Sequence, residues 1–182
     1  MSTLVAPPDV ASTLRRLYLV RFAFALGWAL VMFTTASDLG PLAVILLVLY
    51  PLFDVAAAVV DARASRTALL YVNVAVSLVT AVGVAVACAS GIPAVLRVWG
   101  TWAVVAGLVQ LVVGVTRRGL GGQWPMIISG GISVLAGVSF VVGASADDPT
   151  LANVAGYAIP GGIFFLVSAL RLRRAATGST PA

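Results

Sequence analysis

Six apolar runs, each close to the length needed to cross the hydrocarbon core of a bilayer, occupy most of this 182-residue chain. They extend over about Tyr18 to Thr35, Leu42 to Val60, Leu69 to Ala89, Val95 to Val115, Trp124 to Gly143 and Leu151 to Leu170. The runs lack the period-two alternation of transmembrane β-strands, so each reads as a helix. With 61% hydrophobic and 9% charged residues, the chain has too little polar surface to cover a water-soluble fold. The expected fold is therefore all-α: a polytopic membrane protein of six transmembrane helices arranged as three tandem hairpins, with the lipid bilayer as its solvent.

The connections are short. Ala36 to Pro41, Ser90 to Pro93 and Ala144 to Pro149 fall on one side, Asp61 to Thr67 and Thr116 to Gln123 on the other. None could hold a soluble domain. The tails Met1 to Thr13 and Ala175 to Ala182 are rich in Ser, Thr, Pro and Ala and are expected to be disordered.

All eleven basic residues are Arg. Arg15, Arg16, Arg63, Arg66, Arg117, Arg118, Arg171, Arg173 and Arg174 share one side, whereas the opposite loops carry Asp38, Asp147 and Asp148. Under the positive-inside rule both termini are cytoplasmic, and an even number of spans is the count consistent with that. The sequence pI of about 10.4 thus reflects membrane flanks rather than a nucleic-acid-binding face. Arg21 and Trp28 inside a long first run argue for a retained helix over a cleaved signal peptide.

The reactive inventory is thin. The chain has no His, Lys or Glu, and its single cysteine is Cys88. Ser-His and Cys-His nucleophile pairs, His-ligated haem and multi-cysteine metal sites are excluded, and no phosphate-cradling glycine loop is present. The chain reads as non-catalytic, with no cofactor.

Two charges stand inside apolar runs, where a central charge costs about 2.5–3.5 kcal/mol on insertion scales. Arg21 lies just inside the first helix, and Asp54 lies about two turns before the end of the second, at similar depth. They are expected to form an intramembrane ion pair. It serves either as a structural staple for the first hairpin or as a proton or ion site. Pro51 and Pro160 interrupt the backbone ladder of the second and sixth helices.

Small residues form stripes. Gly100, Ala103, Gly107, Gln110 and Gly114 share one face of helix four. Asn73, Ser77, Ala81 and Ala85 recur on helix three, and Ser129, Ser133 and Gly137 on helix five. Such faces permit close helix approach within one subunit or in a homo-oligomer. Asn73 and Gln110 are either helix-bridging hydrogen-bond groups or the lining of a polar conduit. Trp99 is expected in one interfacial aromatic belt and Trp124 in the other. Arg97 is expected at the interface, where Asp147, Asp148 or lipid phosphate could pair with it.

The even helices repeat. Asp54, Gly107 and Gly162 align, followed by Asp61, Gly114 and Ala169 and then by Arg63, Arg117 and Arg171. These hairpins with Arg at their ends, together with Gly122-Gln123-Trp124-Pro125, the run Ser129 to Gly137, and Gly161-Gly162-Ile163-Phe164-Phe165 before Ser168-Ala169-Leu170-Arg171, resemble the HdeD-like family. These are small bacterial membrane proteins associated with acid resistance. The resemblance covers about Leu14 to Arg174; Asp54 departs from it, standing where the other hairpins have Gly. It implies a multi-pass protein of the bacterial cytoplasmic membrane acting in envelope or acid-stress tolerance, and carries no catalytic residues. A small proton or solute transporter using Asp54 and Arg21, and an accessory subunit docking another membrane protein, are the alternative expectations.

Overall fold

The computed structural model describes residues 8–116, 118 and 124–177. Six helices follow one another: α1 (Pro8–Phe33), α2 (Pro41–Ser65), α3 (Leu69–Ala87), α4 (Ile92–Thr116), α5 (Trp124–Gly143) and α6 (Ala152–Thr177), with a 3-10 turn at Cys88–Ser90. No strand occurs among the described residues. All six helices are long and apolar enough to span a membrane, as a multi-pass membrane protein requires.

The helix ends follow local chemistry. At the start of α2, Pro41 occupies a position where the backbone N–H has no helical acceptor, and the Asp38 carboxylate accepts the Gly40 N–H at 2.8 Å. Gly91 breaks the chain before α4 with φ +90°, a conformation that suits glycine. Arg66 ends α2 at φ 51°, carrying a side chain where glycine is usual. The elements overlap the expected apolar runs but extend beyond them at the two ends of the chain, at the end of α2, which continues through Ser65 into the expected Asp61 to Thr67 connection, and at the start of α4, which begins at Ile92. Helix α1 starts at Pro8, so residues 8–13 of the expected tail are helical. Proline tolerates a first helical turn, and Leu14 and Leu17 just beyond it are buried with Ala169 of α6. Helix α6 likewise continues through Thr177. Residues 1–7 and 178–182, and the Arg117, Gly122 and Gln123 positions of the α4–α5 loop, lie outside the described residues.

The helices form a closed ring in chain order, with α6 returning to α1. The seams alternate. Helix α2 lies closely against α3, α4 against α5, and α6 against α1, while the seams within each sequential hairpin are looser. The repeat read in the sequence is thus realised as three two-helix units, each pairing an even helix with the next odd one.

The tightest seam shows why the small residues are there. A Cβ on Gly100 would lie 2.5 Å from the Gly137 carbonyl oxygen, and one on Gly107 would lie 2.8 Å from that of Gly130. A Cβ on Gly114 would lie 2.8 Å from the side-chain carbon Cγ1 of Ile127. Backbones this close gain dispersion and Cα–H···O contacts that lipid cannot supply. The glycines of the helix-four stripe therefore face α5 and are used inside one chain. At the third seam Gly162 fits over Ala25 and Phe22 of α1.

The core divides along the ring axis. Toward the end carrying Asp38 and Asp147 it is filled by Leu47, Val84, Val95, Leu151 and Val154, all under 2% exposed. The Ala36 carbonyl accepts the Leu151 N–H at 3.1 Å there, tying the end of α1 to the start of α6. Outward faces are apolar; Leu135, for example, is 73% exposed, as a lipid-facing residue should be.

Candidate functional site

The middle of the ring holds an aromatic cluster. Trp28 stacks on Trp99 with centroids 5.7 Å apart, Trp99 meets Trp102 edge-on at 5.4 Å, and Tyr50 contacts all three. Trp28 donates from Nε1 to the Leu46 carbonyl at 2.7 Å, fixing the cluster to α2. Trp99 is only 1% exposed, which corrects its expected place in an interfacial belt. It falls on the inward face of α4, where three further aromatic rings bury it. Trp124 is exposed, with the Arg171 guanidinium 4.4 Å from its ring centroid.

On the Arg-rich side of this cluster lies a cavity of about 120 Å³. Along α4 its lining runs from Trp99 to Val113, and along α6 from Val154 to Ser168. Fourteen residue-to-residue steps on each helix correspond to a depth of about 21 Å. Near the helix ends it is bordered by Asp61, Leu70 and Pro125. Its wall is mostly apolar, and its size suits several water molecules held by the few polar groups that line it, Arg21, Asp54, Asn73 and Gln110 among them.

Arg21 and Asp54 meet on the wall of this cavity as an ion pair joining α1 to α2. Asp54 Oδ1 accepts from the guanidinium, and Oδ2 accepts from Asn73 Nδ2 at 2.7 Å and Ser77 Oγ at 2.8 Å, both on α3. Ser77 Oγ in turn accepts Trp102 Nε1–H at 3.0 Å, adding α4. The Arg21 guanidinium lies 4.2 Å from the Phe165 centroid of α6. Five helices thus converge on one carboxylate and its partner. Three donors to a buried carboxylate offset much of its desolvation.

The repeat explains the location. Asp54 precedes Gly107 by 53 residues, and Ser77 precedes Gly130 by the same interval. Gly107 and Gly130 touch at the α4/α5 seam, and Asp54 and Ser77 touch at the corresponding point of the α2/α3 seam. Where the other two seams place glycine, this one places a carboxylate. The polar site is a break in the repeat.

The remaining sequence candidates separate. Asn73 joins the carboxylate network. Gln110 lines the cavity and donates to the Met126 carbonyl at 3.1 Å. Ser133 lines it too, bonds the Tyr157 hydroxyl and donates to the Ser129 carbonyl at 2.9 Å. Ala103 faces the cavity, Gly100, Gly114 and Gly137 form the α4/α5 seam, and Gly107 belongs to both. Ala81 and Ala85 face away from the site, toward a shallow apolar groove beside Val48 and Leu52. Arg97 is exposed and forms no ion pair with Asp147 or Asp148 among the described residues, all three being solvated at the molecular edge. Sequence reading did not single out Tyr50, Trp102 or Tyr157 as site residues. Their signal was an aromatic ring about one turn before the aligned positions Asp54, Gly107 and Gly162 of the even helices.

No family model, curated protein or solved structure matches the chain. Among the described residues no cluster of His, Cys, Asp or Glu could hold a metal ion.

Proposed function

We propose that this protein is a small non-catalytic transporter, passing a small polar solute, protons among them, through the centre of its helix ring. The observation that carries this reading is the position of the Arg21–Asp54 pair. A charge pair that served only as a staple would be packed over; this one borders a cavity whose lining extends to Asp61, Val113 and Ser168 near the Arg-rich helix ends. Ionisable groups inside a membrane mark solute and proton pathways when they face such a space. With the Arg-rich end cytoplasmic, the cavity faces the cytoplasm, and the aromatic cluster closes the outer half. The three tightly paired helix units suit rigid-body movement along the looser seams, which the aromatic side chains bridge.

A structural role in envelope or acid-stress tolerance, as the HdeD-like resemblance implies, is the second reading. It is favoured by the three donors that already satisfy Asp54.

Reconstituted vesicles separate the two. With an imposed pH gradient and a panel of small polar solutes, the transport reading expects flux well above empty vesicles, reduced at least tenfold by Asp54→Asn in folded protein. Correctly folded wild type that moves neither protons nor any solute of the panel would leave the structural role.

A further inference from the structure

The hydrogen-bonding capacity facing the cavity is one-sided. Asp54 already receives three donors, against roughly four acceptor positions on a carboxylate. Arg21 uses one terminal nitrogen on Asp54, and its other N–H groups have no partner among the described residues. Among the described residues the Tyr50 and Ser129 hydroxyls border the cavity without a protein hydrogen bond, and Trp99, on the cavity floor, keeps Nε1–H buried and unpartnered. The site therefore offers donors and a cation, and it suits a ligand rich in acceptors.

An anion approaching Arg21 also approaches the Asp54 carboxylate, and two like charges at such short range oppose each other. A proton on Asp54 removes the conflict. The neutral carboxyl still accepts from Asn73 and Ser77, while Arg21 becomes free to hold the anion. We infer that the cavity binds a small monovalent oxyanion, of carboxylate or nitrate size, together with one proton carried by Asp54. This rests on the transport reading above and names its substrate class.

The exchange balances. An Arg21 cation paired with an Asp54 anion becomes an Arg21 cation paired with the ligand anion, beside a neutral Asp54. The Arg21–Asp54 pair keeps its own charge balance through the exchange, which limits the desolvation cost of the step. The other titratable groups lining the cavity are Tyr18 from α1, Tyr50 and Asp61 from α2, and Tyr157 from α6; α3, α4 and α5 contribute none. Asp61 lies about two turns from Asp54 toward the mouth, with Ser65 Oγ donating to its Oδ1 at 3.0 Å.

Linkage makes the inference testable, because an anion that favours the protonated site must draw a proton in. The purified full chain is titrated with nitrate and with lactate by calorimetry, in buffers of different ionisation enthalpy and across a pH series. The expected result is uptake of about one proton per bound anion. Affinity should rise about tenfold per unit fall in pH wherever Asp54 is ionised in the free protein. In Asp54→Asn the pH dependence disappears while binding persists, and in Arg21→Gln binding is lost. Absence of binding by either anion at every pH, or binding by wild type without proton uptake, overturns the inference. The wild-type proton count decides the matter even where a variant fails to fold. Vesicle flux of a neutral solute without anion binding would sink this inference and leave the transport reading standing.

Discussion

Replacing Gly100 with alanine is expected to destabilise the folded protein by about 3 kcal/mol, toward the upper end for overpacking a filled site. The added carbon would lie 2.5 Å from the Gly137 carbonyl oxygen and 2.8 Å from Val141 Cγ2. The oxygen belongs to helix backbone and cannot turn aside. Relief requires α4 and α5 to separate along the whole seam, losing the Gly107–Gly130 contact as well. Gly131→Ala is the matched control, since nothing lies within 4 Å of its added carbon. There the gain in helix propensity, about 0.5–1 kcal/mol, should leave stability unchanged or raised. Thermal melting in one detergent reads both variants. Equal melting temperatures would show that the seam yields, contrary to the packing described.

The second large effect is expected at the ion pair. Asp54→Leu leaves the Arg21 guanidinium without its counter-charge and strips Asn73 and Ser77 of their acceptor. Removing one partner of a buried pair typically costs about 3–5 kcal/mol. Arg21→Met strands the carboxylate and should cost a similar amount. The double variant has no stranded charge and should recover most of the loss, because the singles measure an uncompensated ion rather than the worth of the pair. Additive losses in the double variant would show that the two side chains act separately. Melting temperature and yield in detergent provide the measurement.

Much of this arrangement is legible in the chain. The six helices follow from runs of apolar residues near span length, because lipid imposes the same requirement on every crossing segment. Arg21 and Asp54 stand out because charge is costly there, and their similar depth on consecutive antiparallel helices brings them within reach. The register of Asp54, Gly107 and Gly162 also places three equivalent contacts. What the sequence conceals is which neighbour each stripe faces. Apolar helices look alike on several sides, so the glycines of α4 give a face without a partner, and only the folded ring assigns them to α5. Trp99 misleads for a related reason. A tryptophan near a helix end resembles an interfacial anchor, and burial in an aromatic cluster depends on Trp28 and Tyr50 arriving from other helices. The cavity is the least legible feature, because it is bounded by all six helices and no single stretch encodes it.

The Arg21–Asp54 site lies in a cavity reached from the Arg-rich end and closed toward the other by the aromatic cluster. Access of a small, charged, membrane-impermeant thiol reagent tests it most directly, in vesicles of known sidedness. With Cys88→Ser as background, single cysteines are introduced at Ser129, which lines the cavity, and at Leu135, which faces lipid. The account predicts that Ser129→Cys reacts when reagent is added at the Arg-rich face and is protected from the opposite face, while Leu135→Cys stays unreactive from both. Reaction of Ser129→Cys from the opposite face, or folded protein in which it is as inert as Leu135→Cys from either face, would contradict the account.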